Sequence, residues 1–531
     1  MSCFQKAFNW LFYKKGTDPL PMAIIFLLSV QYFLESATTA SVFSYLPHLV
    51  KSFGTSEEQA GKDVGWIASS LFIARVFFGL LWGYLLDKMD PKTVLLISGI
   101  FQTISTVLFG FSTSFYWTLV TRFMQGVFKV AGLAAKVIVI HNTNDTNIAV
   151  AFAILFNSEA LGNIVGPSFS GFLVFLVEQY PKNFHKGGLF DQFKIVLPNV
   201  IFTIYLAIST LAIFIYLPSS CSNRKQIIDP VKVICDESSQ SSNENLYFNI
   251  SYDQTLYQRS TISEKTKLVP KTKNGIIHRV TQRLITFKFV QIFMDKGCLK
   301  TMIVYAIFGM IAIGYIELFI IFAATSAEFE GLSMSSSHIG LLLMICAVID
   351  VIGSVTISPK IVQKFGAKTA FIYWIIGCGC IYSFVPALVL ITNNGIRWFS
   401  LVTCLGAINI FISGCFITVN IFVSNSVLPE LQGTFTGLAM SVSCIGRASG
   451  PVLFGNAYSW SLSNLKSKSL PFPFNQYFAF LLLASVCLIN ALFTQFLISP
   501  SLNNKKVFPL NKELVVRGSY YLCEKALLPI E

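Results

Sequence analysis

Residues 162–171 read Gly-Asn-Ile-Val-Gly-Pro-Ser-Phe-Ser-Gly, and residues 446–455 read Gly-Arg-Ala-Ser-Gly-Pro-Val-Leu-Phe-Gly. Glycines stand at the first, fifth and tenth places of both stretches, with a proline at the sixth. A single glycine stripe is what close helix packing in a membrane produces anyway. The same stripe set twice, in corresponding apolar runs, reads as an internal repeat. A second pair agrees with it: Gly83-Tyr84-Leu85-Leu86-Asp87-Lys88-Met89-Asp90-Pro91-Lys92 and Pro359-Lys360-Ile361-Val362-Gln363-Lys364-Phe365-Gly366-Ala367-Lys368 bring Lys88 into register with Lys364 and Lys92 with Lys368. Two six-helix halves in the same orientation are the simplest account, and parallel repeats of this kind place a substrate site at their interface near the bilayer midplane.

Composition sets the solvent. The 531 residues are 54% hydrophobic and 12% charged, with a mean hydropathy of +0.64, which is too apolar for a dissolved globular chain. Apolar runs of about twenty residues recur between short polar breaks, the length a helix needs to cross ~30 Å of hydrocarbon. The alternating ten-residue pattern of a membrane barrel is not evident. The expected fold is therefore an all-α membrane protein with about twelve spans, beginning near Met22, Val64, Leu95, Tyr116, Ile148, Ile195, Leu299, His338, Thr369, Trp398, Phe435 and Gln476. The first span follows Lys6, Lys14 and Lys15, is too long for a signal-peptide core, and is read as retained.

The expected organisation is an N-terminal tail over 1–21, a first six-helix half over 22–217, a linker over 218–298, a second half over 299–498 and a C-terminal tail over 499–531. The linker is polar, typified by Asp236-Glu237-Ser238-Ser239-Gln240-Ser241-Ser242-Asn243, and is expected to be partly disordered. It gathers Arg224, Lys225, Lys232, Arg259, Lys265, Lys267, Lys271, Lys273, Arg279, Arg283, Lys288 and Lys296, while the breaks on the other side hold few basic residues. Linker and both termini are accordingly expected in the cytosol. The sequons at Asn144 and Asn249 then face a compartment without glycosylation. The net charge of +13 fits a cytosol-facing membrane surface better than nucleic acid. Of twelve cysteines, Cys346, Cys378, Cys380, Cys404, Cys415, Cys444 and Cys487 fall inside apolar spans. Cys3, Cys221, Cys235, Cys298 and Cys523 fall in cytosolic segments, so no disulfide framework is expected.

These residues resemble the major facilitator superfamily. Gly83 to Lys92 is similar to the family's Gly-x-x-x-Asp-Arg/Lys-x-Gly-Arg-Lys loop, with Asp90 in place of a Gly and Pro91 in place of an Arg. Arg122-Phe123-Met124-Gln125-Gly126 resembles the fourth-helix motif, whose Arg the resemblance implicates in proton coupling. Gly162, Gly166, Pro167 and Gly171 resemble the fifth-helix antiporter motif of drug:proton antiporters. A closer resemblance is to the zinc-induced facilitator-like branch, carried by Leu189-Phe190-Asp191-Gln192-Phe193, Tyr315-Ile316-Glu317-Leu318-Phe319, Gly331-Leu332-Ser333, and Gly450-Pro451 with Tyr458-Ser459-Trp460. It covers nearly all spans and fails in the linker and the C-terminal tail. It implies transport of zwitterionic metal chelators, organic anions or drugs, coupled to protons or another cation.

Ionisable groups inside spans cost at least ~2.5 kcal/mol each at helix centre and normally face protein or a water-filled cavity. Glu35, Arg75, Lys129, Glu159, Asp350 and Arg447 fall near mid-span, and Arg122 and Glu317 lie in outer halves. Four acids and four bases suggest mutual neutralisation across a central cavity. Arg122, Lys129 and Lys136 recur every seven residues and are expected on one helix face. Lys136 fits a lysine snorkelling to the interface. Glu35 is the first choice for the proton carrier, with Arg122 or Lys129 as the cation that tunes it and Glu317 as second choice; a permanent ion pair is the competing role. Glu159 and Asp350 could equally pair with neighbouring cations. Arg75 and Arg447 suit a substrate carboxylate and suit structural ion pairing as well. Asn409 and Asn420 fit helix-to-helix hydrogen bonds. Gly83, Asp87, Lys88 and Lys92 are read as a gating loop, and Gly166-Pro167 and Gly450-Pro451 as points of bending or close packing.

No nucleotide-binding Gly-x-x-x-x-Gly-Lys-Ser/Thr stretch occurs, which leaves an ATP-driven pump unsupported. The five histidines do not cluster, so no metal site and no cofactor is expected. An enzyme is not expected either. Three readings stand: a proton-coupled exporter of a small organic solute, a facilitative or symporting nutrient carrier, and a channel or nutrient-sensing receptor on the same scaffold. The expected partners are a small-molecule substrate, protons and the lipid bilayer, with no nucleic acid and a monomeric chain. Glu524 with Leu527 and Leu528 resembles an acidic dileucine signal; plasma membrane and vacuolar or lysosomal membrane both fit.

Overall fold

The computed structural model describes residues 21–143, 148–218, 296–427, 432–467 and 470–503. These residues are helical with no strand among them. The first half contains α1 (Met22–Ala40), α2 (Glu57–Lys88), α3 (Pro91–Gly110), α4 (Phe115–Val127), α5 (Ala131–Asn142), α6 (Ile148–Leu173) and α7 (Val196–Tyr216). The second contains α8 (Lys296–Ala324), α9 (Ser336–Thr356), α10 (Ala367–Phe384), α11 (Asn394–Ser426), α12 (Gln432–Ser467) and α13 (Tyr477–Leu497). Asn144, Asn249, residues 1–20 and 504–531 of the tails, the central linker's polar run and Glu524 lie outside the described residues.

Ten helical segments among the described residues are long and apolar enough to cross a membrane. Helices α2 and α6 have the length as well, at 32 and 26 residues, and residues 64–81 of α2 hold Arg75 as their one charged residue. The fourth expected span is corrected. It is two helices, α4 and α5, broken at 128–130, so Arg122, Lys129 and Lys136 do not share one continuous helix face. Cys298, placed above in a cytosolic segment, is buried within α8.

Local chemistry sets the helix starts. Asp90 and Pro91, the two departures from the loop signature, are the N-cap and first residue of α3, and the Asp90 carboxylate accepts the Lys92 backbone N–H at 3.4 Å. Asp at an N-cap satisfies an orphan donor, and proline at the first helical position loses no hydrogen bond. Ser335 caps α9 and Asn393 caps α11 in the same way.

The repeated glycines explain how the halves are built. Extra methyl carbons at Gly162 and Gly166 of α6 would lie 2.4 Å from the Phe33 carbonyl oxygen and 2.2 Å from that of Ala37 on α1. At Gly446 and Gly450 of α12 they would lie 1.8 and 2.4 Å from the carbonyl oxygens of Ala306 and Met310 on α8. The first two glycines of each stretch thus let one helix lie backbone to backbone on its partner within a half. The third glycine reaches across: Gly171 meets Ser336 and Gly340 of α9, and Gly455 meets Gly61 and Gly65 of α2. Pro167 and Pro451 lie inside continuous helices.

The helix ends that carry the connections 41–56, 174–195 and 325–335 form one end of the bundle, here called the loop end; α7 ends and α8 begins at the other. Cross-half bonds cluster toward the loop end. Lys51 donates to the Ala324 carbonyl at 2.5 Å, the Lys62 N–H to the Ser459 hydroxyl at 2.8 Å, and the Ser69 hydroxyl to the Ala448 carbonyl at 2.5 Å. Ser337 bonds Gln179, and Lys466 pairs with Glu58 at 2.5 Å. In this conformation the two halves are closed against each other at the loop end.

Candidate functional site

The charged residues of the first half meet where α4 breaks from α5. Breaking the helix frees the N–H groups at the start of α5. The Glu35 carboxylate, 2% exposed on α1, accepts the Ala131 backbone N–H at 3.0 Å. An anion at a helix N-terminus is also favoured by the helix dipole. One turn along α1, the Thr39 hydroxyl accepts from the Lys129 ammonium at 2.5 Å, and the Thr39 carbonyl accepts from Arg122 at 2.7 Å. Arg122, 3% exposed, also donates to Gln125 at 2.9 Å and lies 5.9 Å from the Phe109 ring. Glu35 and Lys129 interact by charge, yet no ion pair joins them among the described residues. Each is held by a neutral partner instead.

Arg75, partly buried on α2, interacts by charge with Glu159, Tyr32 and Glu35. The Tyr32 hydroxyl bonds Glu159, a contact that no motif in the chain marks. Lys136 sits 5.0 Å over the Phe156 ring. The structure therefore brings Glu35, Arg75, Lys129 and Glu159 into one electrostatic cluster, with Arg122 at its loop-end edge.

Glu317 enters from the other half. It is 1% exposed on α8, and neither carboxylate oxygen has a hydrogen-bond partner. The one charged group acting on it among the described residues is Arg122. This charge interaction, without an ion pair, links an α8 acid to an α4 base across the interface between the halves. Asp350 is bonded to a neutral group: the Ser413 hydroxyl donates to it at 2.9 Å, and its second oxygen is buried without a partner. Arg447 is half-buried, its stem packed against Gly309, and it is not brought into an ion pair with Asp350. Asn420 bonds the Phe416 carbonyl of its own helix at 2.8 Å rather than a neighbouring one.

Among the described residues of the gating loop, Gly83, Lys88 and Lys92, no bond reaches the other half. Gly83 faces open space, Lys88 lies 5.2 Å over Tyr84, and Lys92 donates to the Phe214 carbonyl at 3.0 Å. The Asp87 side chain lies outside the described residues. Among the described residues no cluster of His, Cys, Asp and Glu has the geometry of a metal site.

A residue that sequence reading passed over guards the loop end. His48, in the short helix Leu46–Ser52, lines a cavity of about 610 Å³ with Phe175, Glu178 and Gln179 of its own half and Ala324, Met334 and Ser335–Ser337 of the other. Its ring reaches the Met334 backbone, packs edge-on to Phe175 at 6.1 Å, and leaves Nδ1 buried without a partner. Burial first, and then the Lys51 ammonium, push the imidazole down to about 4. A folded-state value below the unfolded one means that stability is complete above ~6.5 and is lost as pH falls toward the folded value. Between pH 7 and pH 5 this group is expected to cost the wild-type protein roughly 2 kcal/mol that a His48→Gln variant does not lose. Thermal unfolding of both proteins at the two pH values checks this; equal acid sensitivity would contradict it.

A helical bundle with a charged, largely buried seam between two halves, closed at one end, defines a membrane carrier. Residues 28–451 match the Major Facilitator Superfamily, and the chain belongs to that family. It is a transporter of small solutes and not an enzyme. It is 22% identical over 469 residues to the Arabidopsis thaliana protein Zinc Induced Facilitator 1, covering 86% of this chain and 88% of that one. It is 24% identical over 488 residues to the major facilitator superfamily multidrug transporter mfsB of Aspergillus fumigatus, covering 84% and 79%. Among solved structures, a D-xylose-proton symporter superposes with a TM-score of 0.63 at 13% identity, over 92% of this chain and 100% of that one.

Proposed function

We propose that this protein is a secondary carrier that exchanges a small organic solute, a drug, organic anion or zwitterionic metal chelator, against protons by alternating access. The observation that carries the reading is Glu317, a buried carboxylate without a hydrogen-bond partner that interacts by charge with Arg122 of the other half. A buried carboxylate is costly unless it is compensated. When the halves separate, Glu317 gains water and loses Arg122, so its proton occupancy is tied to which end is open. Glu35 is the second coupling acid, since its hold on Ala131 depends on how α1 lies against the α4–α5 break. Arg75, Lys129, Glu159, Asp350 and Arg447 line the solute path, the bases receiving a substrate carboxylate. The fungal relative is named a multidrug transporter, which agrees with a small organic solute.

In this reading α2 and α6 complete a twelve-span bundle, with halves at 22–217 and 299–498. The tails at 1–21 and 499–531 and the linker at 218–298 face the cytosol. The loop end then faces the exterior or an organelle lumen, in the plasma membrane or a vacuolar or lysosomal membrane, and the chain works as a monomer. Gly83, Asp87, Lys88 and Lys92 act as a cytosolic latch that forms only when that side closes. Gly162, Gly166, Pro167 and Gly171 form the surface on which α6 moves with α1. The test is uptake into proteoliposomes under an imposed pH gradient, screening organic acids, metal chelators and cationic drugs. Gradient-driven accumulation of one class supports the reading. Saturable uptake that ignores the gradient hands it to a facilitative carrier.

A further inference from the structure

Glu35 and Lys129 carry opposite charges in one buried cluster without forming an ion pair, and one residue accounts for this. The Thr39 hydroxyl gives its hydrogen to the Glu35 carbonyl at 2.9 Å, or to that of Ser36 at 3.1 Å, which turns its lone pairs to the Lys129 ammonium. Its carbonyl meanwhile holds Arg122. Thr39 is 4% exposed. Four residues beyond Glu35 on α1, it lies on the same helix face one turn away. It thus anchors two cations to the first span: Arg122 from α4, and Lys129 from the break that follows it. With Lys129 held there, the Glu35 carboxylate is left to a neutral backbone N–H.

We propose that Thr39 is a positioning residue for proton exchange: it keeps Lys129 off Glu35, so that Glu35 can load and release a proton and the Lys129 charge is left without a carboxylate partner, available to the solute. The proposal rests on the proton-coupled reading above. Without the hydroxyl, Lys129 has lost its oxygen partner, and Glu35 is the carboxylate that acts on it most strongly. A direct cation favours the ionised carboxylate, which would hold Glu35 charged through the cycle. An ordinary packing role, with the hydroxyl merely bonded one turn back as threonines in helices often are, would leave proton exchange unchanged.

The experiment is solute-driven proton movement in proteoliposomes from pH 5 to pH 8, comparing wild type with Thr39→Val, which keeps the shape, and Thr39→Ser, which keeps the hydroxyl. Thr39→Val is expected to slow exchange at pH 7 at least tenfold and to move the pH profile about one unit toward acid; Thr39→Ser is expected to follow wild type. If Thr39→Val does not fold, Thr39→Ala serves with the same expectation. Adding Thr39→Val to a Lys129→Met background is expected to change nothing further, as coupled residues are non-additive. A valine profile that coincides with wild type, or a serine variant that fails like valine, overturns the proposal alone. A wild-type protein that moves solute with no proton signal overturns the antiport reading and the proposal with it.

Discussion

Glu35→Gln is expected to reduce solute-driven proton movement on the order of a hundredfold while solute binding persists. Glutamine keeps the shape and can still accept the Ala131 N–H that Glu35 accepts at 3.0 Å, so α1 and α5 stay docked. What disappears is the titratable charge. If Glu35 were a permanent partner of the helix start and of Lys129, the same change would cost about 1–3 kcal/mol of stability, the price of a weakened charged hydrogen bond. Proton movement would survive it. Binding measured by calorimetry beside proton flux separates the two. Glu317→Gln is expected to give the same uncoupling without that stability cost, because no hydrogen bond to Glu317 is lost.

Gly455→Val is expected to stop transport at least tenfold by holding the loop end open, with the folded protein retained. A methyl carbon at Gly455 would lie 2.4 Å from the Gly61 carbonyl oxygen on α2, so the halves cannot approach there. They can part instead, since this contact is broken in every cycle under alternating access. Gly446→Val makes a sterically similar clash, 1.8 Å from the Ala306 carbonyl oxygen, but inside one half. Overpacking of this kind costs about 1–3 kcal/mol or more, and there it falls on the fold, so Gly446→Val is expected to lower thermal stability and yield. Labelling of loop-end residues in the two variants checks the contrast. A Gly455→Val protein that is unstable and no more accessible than wild type would contradict it.

The glycine-proline stretches were legible because small residues at fixed spacing have few uses in a membrane helix. Their division of labour was not: that the tenth-position glycine crosses to the other half depends on tertiary placement. The seven-residue spacing of Arg122, Lys129 and Lys136 was read as one helix face because 126–132, Gly-Val-Phe-Lys-Val-Ala-Gly, contains no proline or polar turn signal. The break is where Glu35, nearly a hundred positions away in sequence, accepts the freed N–H group. Buried acids could be listed from hydropathy alone, yet their partners could not. Asp350 takes a serine hydroxyl, Glu35 a backbone amide, and Glu317 none. His48 and Thr39 went unremarked because neither residue type is unusual in such segments; only burial and hydrogen bonding set them apart.

The central claim is exchange of solute against protons across the seam between Glu317 and Arg122. Its most direct test is a vesicle loaded with solute, with no pH gradient imposed, and a pH indicator dye on the side opposite the load. Antiport predicts that solute running down its gradient drives protons the other way, and that Glu317→Gln abolishes the dye signal. Solute release of normal rate with a silent dye in the wild-type protein would contradict the account.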